Sequence, residues 1–334
     1  MRNLMTDVDG ILVGHAHDDR LISGVTTLIF AEPAIASVSV LGGAPAGRDL
    51  GCLEPDAAVA GIDAIVLSGG SGFGLDAASG AQAWLRENGR GLPVGHARVP
   101  IVPSAICFDL NNGGDKAWGR YPPYRELGFE AAAVAGQGPF ALGTAGGGYG
   151  ASTVDLKGGV GSASARTSAG HTVAAIVVVN ALGSALLGDG PHFHAGALER
   201  GTEFGGQGLP ATRPATLGGT LPPPRWKGQT TATTIACVAT DATLDKAEAK
   251  RLAIAANAGL ARGLRLSHAP MDGDTIFAVS TRRRPLAGAM QDLIEIGALA
   301  ADCLARAIGR GVYAAHVPGP AWNGPPAWRD RFGG

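Results

Sequence analysis

Residues 230–242 read TTATTIACVATDA, a cluster of threonines opening directly onto an apolar, β-branched run. A threonine hydroxyl is a weak nucleophile until a base removes its proton. If the chain is cut before such a threonine, the residue gains an α-amino group, whose ordinary pKa of about 7.7–8.0 suits a base near neutral pH. Nucleophile and base then sit in one residue, with no separate histidine. Thr230, Thr231, Thr233 and Thr234 all qualify by type. Taken alone, a threonine at a strand start is simply a good strand former. Three further places carry side chains of the right type. Asp272 and Asp274 are spaced two apart in MDGDTIF, where D-G is also an ordinary turn signal. Asn180 ends the run VAAIVVVN, as a turn former or as an amide donor held rigidly at a strand end. Lys157 lies in LKGGVG, a loop lysine by default.

These residues need elements to hold them. Short apolar runs at 24–30, 37–41, 62–68, 172–179, 234–240 and 275–281 read as buried strands. Alanine-rich helical patterns fall at 75–88, 245–263 and 285–308. The second places Leu252, Ala255, Ala256 and Leu260 on one face, and the third carries Met290, Leu293, Ile294, Leu299, Ala300 and Cys303. Wholly apolar strands mixed with helices indicate α/β sheets covered by helices. Residues 202–229 are rich in Gly and Pro, lack any period and read as a linker feeding the threonine cluster.

Apolar residues make up 46% of the 334 positions, and 27 basic residues face 28 acidic ones. That balance leaves no footprint for nucleic acid or an anionic membrane. Arg282, Arg283 and Arg284 form the one basic run and read as a solvated strand end. Cys52, Cys107, Cys237 and Cys303 share no metal-ligand spacing, and Cys107 and Cys237 sit in apolar runs as small core residues. His15/His17 and His192/His194 lack an evident third ligand, so neither metal nor any other cofactor is expected. The start of the chain lacks a long apolar signal region, and no run reaches the roughly 20 residues needed to span a bilayer. A soluble cytoplasmic protein is expected. GGSGFG at 69–74 follows a strand, but its Gly70-x-Gly72-x-Gly74 spacing departs from the dinucleotide fingerprint and reads as a tight turn.

The stretch 232–253 (ATTIACVATDATLDKAEAKRLA) resembles the start of the small subunit in the DmpA-type family of self-processing aminopeptidases. β-Peptidyl aminopeptidases and nylon-oligomer hydrolases belong to that family. There a Ser or Thr opens a strand with Thr-Asp seven residues on; here Thr240-Asp241 places the opener at Thr233. VDGILVGHA, APAGRDLGCLEP, LSGGSGFGLDAASG, VPIVPSAICFDLNNG, GTAGGGYGAS, LKGGVGSAS, VVVNALG and MDGDTIFAVST extend the likeness over nearly the whole chain, in order.

The resemblance implies a four-layer αββα sandwich of one domain. It implies cleavage between Ala232 and Thr233 into fragments 1–232 and 233–334, held together and assembled into a homo-oligomer. Thr233 is then the nucleophile, Asp272 and Asp274 match the Asp-x-Asp of nylon-oligomer hydrolases, Asn180 matches an oxyanion donor and Lys157 a residue near the site. Gly70 and Ser71 belong to a turn lining the substrate pocket. Phe108 stands where some relatives have a tyrosine hydroxyl, so that donor is missing. The implied activity is hydrolysis of small peptides or amides through a threonine acyl-enzyme. Acyl transfer of the ornithine acetyltransferase type, which shares the fold and an Ala-Thr cleavage pair, is the alternative; an unprocessed, non-catalytic member is another.

Overall fold

One strand of 18 residues, β2 (Ser23–Val40), joins the two halves of the molecule. The computed structural model describes residues 1–214 and 232–333. In sequence β2 looks like two strands, because Glu32 and Pro33 interrupt its apolar residues; both are exposed, where a missing backbone N–H costs little. The strand runs on through them. Its register against β4 (Ile62–Ser68) shifts between Ile29 and Ala34, the signature of a bulge that bends the strand.

The first half of β2 pairs with β1 (Ile11–Asp18) and β4, and β4 continues to β7 (Ser104–Ile106) and β3 (Gly47–Arg48). The second half pairs with β11 (Thr275–Arg284), followed by β10 (Thr233–Ala242), β9 (Thr172–Asn180) and β8 (Gly159–Arg166). β10 and β11 are parallel, and the neighbours of that pair run antiparallel to it. A separate hairpin is made by β5 (Leu92–Val94) and β6 (Ala97–Val99).

Side-chain alternation turns this ladder into layers. In β9, Val173, Ala175, Val177 and Val179 join one apolar cluster, while Ala174, Ile176 and Val178 join another. The second cluster unites Leu28, Phe30, Ile65 and Leu67 of one half with Ile235, Cys237, Phe277 and Val279 of the other, so the two halves stack face to face. A strand buried on both faces reads as a continuous apolar run, which is why β4, β9 and β10 stand out in the sequence.

Helices α1 (Asp76–Glu87) and α2 (Tyr124–Ala133) cover the outer face of the β1–β2–β4 half. Helices α3 (Lys246–Gly263) and α4 (Ala289–Tyr313) cover the outer face of the other, and α5 (Trp328–Phe332) packs beside them. The result is the expected αββα sandwich. Asp245 and Glu248 start α3 as a capping box, each side chain accepting from the other's backbone N–H.

Two details differ from the sequence reading. α4 begins at Ala289, and Met290 and Ile294 on it are 67% and 65% exposed, whereas Ala300 and Cys303 are in the core. The segment read as a linker is anchored at its start: Phe204 packs on Phe193, and the Glu203 carboxylate lies 2.6 Å from Arg306 Nε. Residues 215–229 of that segment, with Thr230 and Thr231, lie outside the described residues. The arginines 282–284 are exposed, as expected. Among the described residues, no helix is long and apolar enough to cross a membrane, and no group of three His, Cys, Asp or Glu side chains is placed to hold a metal ion.

Candidate active site

Thr233 opens β10 in the middle of the ladder, where loops from both halves meet. Across the antiparallel pair it faces Asn180, and on the other side a parallel bridge joins Ala232 to Asp272. Thr233 at the start of β10 and Asn180 at the end of β9 are thus cross-strand neighbours, and Asp272 and Asp274 lie just before β11, the strand on the other side of β10. Thr233 is buried, and its Oγ1 donates to the carbonyl oxygen of Ala232 at 2.5 Å. The same oxygen accepts the Gly273 N–H at 3.1 Å.

Asp274 is buried and anchored to the start of β10. Its Oδ1 accepts from Thr234 N at 2.8 Å, and its Oδ2 accepts from His268 N at 2.7 Å. The His268 ring returns toward it, with Nδ1 3.2 Å from Oδ2. His268 adopts a left-handed backbone, φ +59°, that a non-glycine residue rarely takes. Asp272, also buried, accepts from Ala269 N at 3.2 Å. The carboxylates thus hold the backbone of residues 268 and 269, and Asp274 also holds the start of β10.

Asn180 is fixed at both ends of its amide. Its Nδ2 donates to the Phe108 carbonyl at 2.8 Å, and its Oδ1 accepts from Ser152 N at 3.0 Å. Lys157 supports that arrangement. Its fully buried ammonium donates to the carbonyls of Gly148, Ala151 and Gly158 at 2.8–3.0 Å, clamping the loop that presents Ser152. Lys157→Met keeps the stem and removes these donors, leaving buried carbonyls without them. It is expected to lower unfolding stability by at least about 1–3 kcal/mol, seen as an earlier midpoint in urea; an unchanged midpoint would mean the clamp is dispensable.

The turn at Gly70 and Ser71 lies beside Phe108. Gly70 has φ +83°, and a Cβ there would stand 2.2 Å from Cζ of Tyr124, so two constraints demand glycine. Gly70 N donates to Asp109 Oδ1 at 2.7 Å, and Ser71 N donates to the Cys107 carbonyl at 2.9 Å. The segment 107–109 therefore ties the glycine turn to Asn180.

Sequence reasoning missed the buried chain that supports this turn. Ser23 Oγ donates to Asp109 Oδ2 at 2.6 Å, and Tyr124 OH donates to Ser23 Oγ at 3.1 Å. Burial pushes the Asp109 carboxyl above the usual carboxylate range, opposed by the Ser23 and Gly70 donors and by the charges of Lys116 and Lys157. Burial and the neighbouring Asp109 likewise push the Tyr124 hydroxyl up. Asp109 directly follows Phe108 in a motif already singled out; nothing local marks Ser23, Tyr124 or His268.

Comparison with known proteins agrees with this architecture. The sequence matches peptidase family S58 over residues 3–320. It is 40% identical over 350 residues to an uncharacterized aminopeptidase of Mycobacterium tuberculosis, covering 99% of this chain and 98% of that one. It is 28% identical over 293 residues to a 6-aminohexanoate-oligomer endohydrolase of Kocuria sp., covering 83% and 75% of the two chains. Among solved structures, a Burkholderia sp. beta-aminopeptidase superposes with a TM-score of 0.67 at 22% identity, covering 94% of this chain and 87% of that one. The L-aminopeptidase D-Ala-esterase/amidase of Ochrobactrum anthropi, described as a variant of the Ntn hydrolase fold, gives 0.66 at 19% identity, with the same coverage. A match of this length, in a chain folded as those structures are, makes the protein a member of peptidase family S58 and a hydrolase of peptide or amide bonds.

Proposed function

We propose that the chain cleaves itself between Ala232 and Thr233, and that the new N-terminal threonine then hydrolyses small amides through an acyl-enzyme. The observation that carries this reading is the Thr233 hydroxyl lying 2.5 Å from the carbonyl oxygen of the bond before it, at the entry to a buried strand. In turnover the freed α-amine of Thr233 takes the hydroxyl proton. Oγ bonds to the substrate carbonyl carbon, and the amine leaving group departs with that proton. Water then cleaves the ester and restores the hydroxyl. Asp274 holds the Thr234 amide so that the nucleophile cannot drift.

Asn180, directly opposite Thr233, supplies an amide near the reacting carbonyl. Asn180→Ala is expected to lower turnover by roughly 10²–10³, the usual cost of one oxyanion donor. The assay uses protein confirmed as processed by mass; full turnover there removes Asn180 from the mechanism.

Short amides and peptides are the proposed substrates, including ω-amino-acid oligomers. The names of two relatives, an aminopeptidase and a 6-aminohexanoate-oligomer endohydrolase, support that class. Homo-oligomers of two-fragment units belong to the same reading, and light scattering tests them. The function itself is tested by intact mass, which should show a fragment beginning at Thr233, and by a panel of amino-acid p-nitroanilides, a β-alanine amide, a 6-aminohexanoate oligomer and casein. Casein cleavage without turnover of any small amide would refute it.

A further inference from the structure

We infer that the backbone N–H of Gly273 is an oxyanion donor, first for cleavage of the chain and then for each substrate. The inference rests on the reading of Thr233 as the self-cleaving nucleophile.

Three observations carry it. The Gly273 N–H points at the Ala232 carbonyl oxygen, 3.1 Å away, on the same oxygen that Thr233 Oγ1 touches. That oxygen takes up negative charge when Oγ attacks. The donor is also held in advance. Its peptide group is pinned at the far end, where the Asp272 carbonyl accepts the Ala44 N–H at 2.7 Å. The next carbonyl, of Gly273 itself, accepts from Thr275 Oγ1 at 2.9 Å. A dipole fixed before the reaction costs nothing to reorganise during it, and a bond accepted at one end of a peptide strengthens the one donated at the other. Finally, no side chain fits there. A Cβ at 273 would stand 2.8 Å from Thr233 Oγ1 and 2.9 Å from the Ala44 carbonyl. The glycine of MDGD is thus required by its closeness to Thr233 and Ala44.

Oγ of Thr233 bonds to the Ala232 carbon, and the C=O electron pair moves onto the oxygen held by the Gly273 N–H. The C–N bond then breaks; nitrogen keeps the pair and receives the hydroxyl proton, giving an Ala232 ester and a free amine. Water hydrolyses the ester to the Ala232 carboxylate and the Thr233 hydroxyl. That ester is itself an acyl group on Thr233 Oγ, so a substrate acyl group on the same atom puts its oxygen before the same N–H.

The test replaces the 272–273 amide by an ester, with glycolic acid introduced at 273 during cell-free synthesis and glycine introduced the same way as control. The ester lacks the N–H and keeps the shape. Cleavage, followed by mass, should slow by about 10²–10³; cleavage at the control rate overturns the inference. An uncut control would instead sink the reading of Thr233, and this inference with it. A second measurement does not depend on the ester variant folding. In uncut Thr233→Ala protein the Gly273 amide should resist hydrogen exchange, and in processed wild type, where the Ala232 carboxylate must leave the site to admit substrate, it should exchange at least tenfold faster. Equal exchange in the two forms overturns the assignment.

Discussion

Thr233→Ala is expected to leave one uncut chain of 334 residues with no measurable amide hydrolysis. Loss of a nucleophile that acts as part of a unit costs about 10⁶ in turnover, and here the same change withholds the amine that serves as base. The fold should survive, because among the described residues the hydroxyl hydrogen-bonds to the adjacent Ala232 carbonyl alone, and that oxygen keeps the Gly273 N–H. Thr233→Ser retains the hydroxyl and should still cleave, which separates chemistry from packing. Thr234 is the nearest rival. Among the described residues its buried Oγ1 has no hydrogen-bond partner, and its amide is held by Asp274, so Thr234→Ala should process normally. N-terminal sequencing that begins at Thr231 or Thr234 would overturn the assignment.

Asp274→Asn should be the second most damaging change. The carboxylate accepts from two backbone donors, Thr234 N and His268 N, at 2.8 and 2.7 Å. An asparagine side chain has one accepting oxygen; its NH₂ must face a donor, and buried N–H groups left unpaired cost about 1–3 kcal/mol each. The strand start that carries Thr233 would lose its anchor. Processing and turnover should fall by about 10³–10⁴, comparable to losing a carboxylate that orients a catalytic group, with secondary structure intact by circular dichroism. Wild-type cleavage in this variant would reduce MDGDT to an ordinary turn.

The parts of the fold that the sequence revealed are those buried on both faces. The run at 62–68 coincides with β4, and the runs at 172–179 and 234–240 lie within β9 and β10. β1 and β8 were not read, for a physical reason: ILVGHAHD carries polar residues toward an exposed end, and GVGSASAR is built from Gly, Ser and Ala with little apolar contrast. The third helical pattern was placed correctly in kind, but Met290 and Ile294 imitate core spacing on an outer face. At the site, Thr233, Asp272, Asp274 and Asn180 came from motifs. Their partners did not, because most are peptide groups: the Phe108 carbonyl, the Ser152 amide and the amide of Gly273 have no identity in a sequence until topology brings them together. Lys157 was found by the same likeness, although the contacts it makes are with loop carbonyls.

The placement of β10 and β11 between β9 and β2 has a consequence for the life of the protein. If the bond before Thr233 is broken as proposed, two strands of one polypeptide lie between two of another, with eight register pairs on the β9 side and six on the β2 side. Reaching the native state a second time then requires two molecules to meet and interleave, so its apparent stability depends on concentration as a dimer's does. Unfolding before cleavage is recoverable within one molecule. Afterwards recovery becomes second-order, and dilution competes with repair. A processed enzyme is expected to depend for its lifetime on the height of its unfolding barrier more than on its equilibrium stability, and the proposed cleavage before Thr233 would turn a self-contained folding unit into a two-chain assembly.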